Sequence, residues 1–240
     1  DDQGGVPRPV LAVLLKILQN HARAAPAVRH ATAILALISV EERDRAAGRT
    51  TGVSLSSDGK REAEAARKRA RIWFGKKGKA PLGALKRDIF SKHKGDHVIA
   101  AAGCSLLLGV IIPYHSLKGE DERQQEEEDF INYVTQEGVP LVLSLMERHR
   151  THFAVVDAAV HFVARCCALC QRRTLALLGK EDGHLLMLQL LGMYNNPSDV
   201  VIDTDVKVSK APAAVVFYIS LLLSYITRDN LSRLSPRRGR

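Results

Sequence analysis

The sequence predicts an all-α fold, a superhelix of stacked helical repeats with polar and charged insertions. Three observations lead there. A short apolar phrase occurs three times: Pro9-Val10-Leu11-Ala12-Val13-Leu14-Leu15, Pro140-Leu141-Val142-Leu143-Ser144-Leu145-Met146 and Leu185-Leu186-Met187-Leu188-Gln189-Leu190-Leu191. The second and third copies start 185 − 140 = 45 residues apart, within the roughly 40–47 of helical repeats. Only 5% of residues are aromatic while Leu, Ala and Val abound, which favours helices over sheets.

The elements follow in order. From Gly5 to about Gln19, Val10, Leu11, Leu14, Leu15 and Leu18 form one apolar stripe with helical spacing. Pro7 and Pro9 stand at the start, where a missing N–H does little harm. A second helix is expected from about Ala27 to Ser39. The rhythm then breaks. Residues 40–96 are expected to be a basic, partly disordered insertion, with a turn-rich loop from Gly48 to Gly59 and a basic helix over Lys60–Phe74. Val98 to Ile112 reads as a buried helix stopped by Pro113, followed by an acidic insertion over 114–129. Helices are then expected at Phe130–Gln136, Pro140–His149, Phe153–Gln171, Thr174–Leu178 and Leu185–Met193. Residues 195–210 read as a polar loop, because Asn196-Pro197 and Asp203-Thr204-Asp205 oppose helix. Ala213–Thr227 is the last helix, and 231–240 a basic tail. In this division, residues 1–39 hold N-terminal repeat helices and 97–230 the main repeat region.

A second pattern accompanies the phrase. Val28, Ala31, Ile34, Leu35 and Ile38 align with Val156, Ala159, Phe162, Val163 and Cys166, and again with Ala211, Ala214, Phe217, Tyr218 and Leu221. The small central alanine lets two helices approach closely. Val98, Ala101, Cys104 and Leu108 read as a fourth, degraded copy. Together, Glu137-Gly138-Val139-Pro140-Leu141-Val142-x-x-Leu145-Met146 resembles the third-helix signature of armadillo repeats, and the alanine-centred helices resemble that family's preceding helix. The related HEAT repeats share the same physics. The resemblance implies a right-handed superhelix whose groove binds extended peptides or other proteins. It also implies that the groove-facing polar positions are Ser144, Glu147 and Arg148 on one helix and Gln189 on the next. Nuclear-import members of the family carry a ladder of groove Trp and Asn residues. This chain has a single Trp, Trp73, in the basic insertion, so it does not resemble a receptor for nuclear-localisation signals.

Charge points to a second candidate site. The net charge is +9, and between Lys60 and Lys94 there are 13 basic residues against three acidic ones. Arg67, Lys68, Arg69, Arg71, Lys76, Lys77 and Lys79 flank Trp73 and Phe74. Basic residues with interleaved aromatics can neutralise phosphates and stack on bases, or meet acidic protein segments. A charge run is also commonly just a solvated face.

Catalytic and metal-binding patterns are weak. Cys166-Cys167-x-x-Cys170 near His161 has metal-ligand residue types, but no second Cys pair completes a site. These thiols are expected to be buried packing groups. No Glu or Gly spacing makes Asp203-Thr204-Asp205 a calcium loop. The interval from Gly52 to Gly59 is too long for a phosphate loop, and no nucleophile elbow or His-Glu-x-x-His occurs. The sequence is therefore read as non-enzymatic, with no cofactor. The apolar helices are at or below the roughly 17 residues needed to span a bilayer. Four cysteines without a framework pattern suggest a reducing, intracellular, cytoplasmic setting rather than a secreted one. The expected partner is a protein, with an acidic segment or nucleic acid as the alternative ligand. The start at Asp1 suggests a piece of a larger chain or complex.

Overall fold

A computed structural model describes residues 13–46 (apart from 15 and 19), 90–111, 121–195 and 211–234. Of the interpretable residues, 86% are helical, and none of the described residues forms a strand. Residues 13, 14, 16–18 and 20 are helical. Seven further helices follow: α1 (Ala25–Ala46), α2 (His97–Val110), α3 (Asp121–Arg148), α4 (Phe153–Leu169), α5 (Gln171–Lys180), α6 (Gly183–Asn195) and α7 (Ala211–Leu234). The chain divides into two compact units, 1–131 and 132–240.

In the first unit α1 packs on α2. Val28, Ala31 and Leu35 of α1, and Ile99, Leu106 and Leu107 of α2, are almost fully buried. The start of α2 is fixed by Asp96, whose Oδ1 accepts from the amides of Val98 at 3.1 Å and Ile99 at 3.2 Å. This satisfies two of the unpaired donors at a helix start. Its Oδ2 accepts from Arg29 Nε of α1 at 2.7 Å. Burial pushes the Asp96 carboxyl up, but the Arg29 hydrogen bond and charge and the two amides outweigh it, leaving it below its usual value of 3.8. His93 approaches the carbonyl of Ala22 at 2.8 Å. The buried ring of Phe90 lies against Gly103, where a Cβ would clash with the ring. Phe90, His93 and Asp96 thus tie the end of the expected 40–96 insertion into the helical core.

In the second unit α4 is the central helix. Val155, Val156, Ala159, Val160, Phe162, Val163 and Cys166 are all fully buried. α7 packs on both α4 and α6. Between α5 and α6, Asp182 takes φ 51°, the left-handed conformation that ends one helix and turns into the next. The amides of Leu185 and Leu186 then bond back to the Asp182 carbonyl at 3.0 and 3.3 Å.

Several expected boundaries are corrected. α1 continues to Ala46, because 40–46 contains charge but no breaker before Gly48. The acidic stretch 121–129 is helical and joins the two helices expected at 130–136 and 140–149 into one, with Pro140 inside it. Glu and Gln are good helix formers, so this acidic stretch is helical. The expected Phe153–Gln171 helix ends at Leu169; Cys170, at φ −137° and ψ 54°, separates it from α5. α7 runs to Leu234, so 231–234 are helix rather than tail. The buried stripe of α7 is Val215, Ile219 and Leu222, one residue later than the expected Ala214, Tyr218 and Leu221. In α2 the exposed Val98 likewise gives its place to Ile99. The expected loop 48–59, the basic helix 60–74 and most of the 195–210 loop lie outside the described residues.

Candidate functional site

The repeated phrase organises the candidate site. In all three copies the same positions are buried: Leu14, Leu145 and Leu190, then Leu18, His149 and Tyr194. In all three the same positions are exposed: Val13, Ser144 and Gln189, then Lys16, Glu147 and Gly192. A sequence likeness of apolar residues alone does not require this. A common burial register does follow if each copy presents the same face outward.

The second and third copies also meet at two points. At one end, a Cβ on Gly183 of α6 would fall 3.3 Å from Leu143 Cδ1 of α3. At the other, the Tyr194 hydroxyl of α6 donates to the Arg150 carbonyl just beyond α3, at 3.3 Å. Chain number rises in both helices from the first contact to the second, so they run in the same direction. Ser144, Glu147 and Arg148 are exposed on α3 and Gln189 is exposed on α6. Among the described residues neither Glu147 nor Arg148 has an ion-pair partner. The other sequence candidates, Arg67, Lys68, Arg69, Arg71, Trp73, Lys76 and Lys77, lie outside the described residues.

Sequence reasoning missed two neighbours of Gln189. Leu185 and Leu188 are 50% and 53% exposed, and together with Gln189 and Gly192 they form an uncharged outward stripe on α6. Nothing in the phrase distinguishes these leucines from the buried ones.

A polar seam lies elsewhere, between α4 and α7. The His161 ring meets the Tyr218 ring edge-on at 4.1 Å between centroids, and Tyr218 meets the exposed Phe217 at 5.3 Å. His161 Nε2 is buried without a hydrogen-bond partner among the described residues. Asp157, one turn before His161, has its carboxyl pushed up by burial, against the opposing pull of His161. Burial and the Asp157 charge also push the Tyr194 phenol up.

The cysteines lie at packing positions. Cys104, Cys166 and Cys167 are buried. Burial pushes the Cys104 thiol up to about 12 and the Cys167 thiol up to about 11, and it raises Cys166 as well. Cys170 is half-buried and donates to Asn132 Oδ1 at 3.2 Å. Thiols held protonated are poor metal ligands. Among the described residues no group of three His, Cys, Asp or Glu side chains is placed to hold a metal ion, and no helix is long and apolar enough to cross a membrane.

No protein-family model, curated protein or solved structure matches this chain.

Proposed function

We propose that this protein is a non-catalytic interaction scaffold of armadillo-like type, which binds a partner protein along the exposed face of its repeated helices. The observation that carries this reading is the shared register. Positions 144 and 189, and 147 and 192, face outward in both copies, on helices that run in the same direction. Repetition of one exposed row on successive copies of the phrase suits an elongated ligand. The step from repeat architecture to binding is an analogy between folds.

The basic segment supports a second reading, binding of nucleic acid or another acidic polymer, through its excess of 13 basic over three acidic residues. One experiment separates the two. Partners are captured with the intact chain, with residues 48–89 deleted, and with Ser144→Arg plus Glu147→Arg, each at low and high salt. The deletion stops at 89 because Phe90, His93 and Asp96 belong to the core. On the scaffold reading, the deletion retains the partner at high salt and the double substitution loses it. Loss on deletion, together with steep salt sensitivity, transfers the function to the basic segment.

A further inference from the structure

Three of the four thiols lie within one turn, where α4 ends and α5 begins: Cys166, Cys167 and Cys170. Two of them face the same neighbour. The Cys170 thiol donates to Asn132 Oδ1 of α3 at 3.2 Å, and the Cys166 thiol lies against the Thr135 hydroxyl of α3. Asn132 and Thr135 are three residues apart, hence adjacent on one face of that helix. The Cys170 amide donates to the Cys166 carbonyl at 2.7 Å, which closes the last turn of α4 and stacks the two residues. One such turn separates their Cα atoms by about 6 Å, inside the roughly 4.4–6.8 Å that a disulfide spans. The Cys170 thiol adds to the effect of burial in pushing Cys166 up, whereas Cys167 is raised by burial alone. Cys166 is therefore the sulfur that Cys170 meets.

Access separates their roles. Cys166 is 0% exposed, while Cys170 is only partly buried. Cys170 also stands at the start of α5, whose first turn holds the exposed Arg172 and Arg173. A helix start and two cations supply positive potential beside this sulfur, the setting of a reactive cysteine.

We propose that Cys170 is a peroxide-reactive site and that Cys166 resolves its oxidised form as an intramolecular disulfide. The Cys170 sulfur attacks one oxygen of hydrogen peroxide. The S–O bond forms, the O–O bond breaks, and the thiol proton leaves with the second oxygen as water. The Cys166 sulfur then attacks the sulfenic sulfur. The S–S bond forms, the S–O bond breaks, and the Cys166 proton leaves with the hydroxyl as a second water. Cys166 needs no contact with solvent, because its target sits on the next turn. Neighbouring turns hold Cβ atoms about 5–6 Å apart, beyond the roughly 3.5–4.5 Å of a disulfide. Cys170 closes that gap, since at φ −137° and ψ 54° it belongs to neither helix. Closure takes its sulfur from Asn132 and distorts the α4–α5 corner, so a dithiol readily reduces the bond.

The test treats the reduced full chain with hydrogen peroxide, then unfolds it, alkylates it and cuts it with trypsin. Cleavage after Arg165 and Arg172 places all three thiols in one peptide, residues 166–172. Mass spectrometry should find that peptide with an internal disulfide and a single alkyl group, on Cys167, while Cys104 is alkylated throughout. Dithiothreitol before alkylation should restore three alkyl groups. Cys170→Ser should slow the oxidation about tenfold or more, and Cys167→Ala should leave it within about twofold. Cys166→Ala should leave a sulfenic acid at Cys170 that dimedone labels. Circular dichroism controls for folding of the variants, and the wild-type peptide decides the pairing without them. Three alkyl groups after peroxide, an alkyl group on Cys166 or Cys170, or oxidation indifferent to Cys170→Ser would overturn the proposal. So would a disulfide-linked dimer in place of the internal bond.

Discussion

Alanine at Gly138 and alanine at Gly192 should move stability in opposite directions. Both glycines lie inside helices, Gly138 just before the second copy of the phrase and Gly192 just after the third. In each case alanine reduces the backbone entropy lost on folding, a gain of about 0.5–1 kcal/mol. At Gly192 nothing opposes the gain, since the new Cβ meets no atom within 4 Å. At Gly138 the Cβ would fall 2.7 Å from Cζ and 3.2 Å from Cε1 of Phe162. That ring has 0% exposure, so it cannot swing into solvent and must press on its neighbours. Overpacking of this kind costs about 1–3 kcal/mol. Subtracting the backbone gain leaves Gly138→Ala destabilised by roughly 1 kcal/mol, within a span of roughly 0–2.5. Urea denaturation followed by far-UV circular dichroism reads both variants. Phe162→Leu provides the internal check, because it removes the ring atoms that Cβ would strike. In that background Gly138→Ala should become neutral or stabilising, a coupling that a double-mutant cycle isolates. If Gly138→Ala alone unfolds at or above the wild-type midpoint with full helicity, the close packing of α3 on Phe162 is refuted.

Three further outcomes follow from named groups. Asp96→Ala should cost about 0.5–2 kcal/mol as a lost helix cap, whereas Arg29→Ala should cost less, about 0–1 kcal/mol, because its side chain is 49% exposed. The Asp96 carboxyl sits below its usual 3.8 in the folded state. Its contribution is therefore complete above that value and is lost as pH falls through the lower folded one; acid denaturation of Asp96→Ala should lack this component. Asp157 has the opposite sign. Burial raises its carboxyl above 3.8, so the native state favours the protonated form and loses stability as pH rises through the folded value. Asp157→Asn should flatten that slope and raise the urea midpoint at neutral pH. In native protein treated with a thiol reagent, only Cys170 should react promptly, and Cys170→Ser should abolish the fast phase, while Cys104, Cys166 and Cys167 react only on unfolding.

Residue spacing carries more of this fold than composition does. The stripe Val156, Ala159, Phe162, Val163 and Cys166 is buried as its period requires. On α7 the apolar residues run almost continuously from Ala213 to Ile219, so the period fits more than one face. Packing against α4 and α6 then selected Val215, Ile219 and Leu222. At 121–129 the charge of the Glu and Gln run suggests a break in the helices, although those residues favour helix and form one with 130–148. The candidate site divides similarly. The exposure of Ser144, Glu147, Arg148 and Gln189 was legible from helical phase. The exposure of Leu185 and Leu188 was not, because no local signal separates them from Leu143.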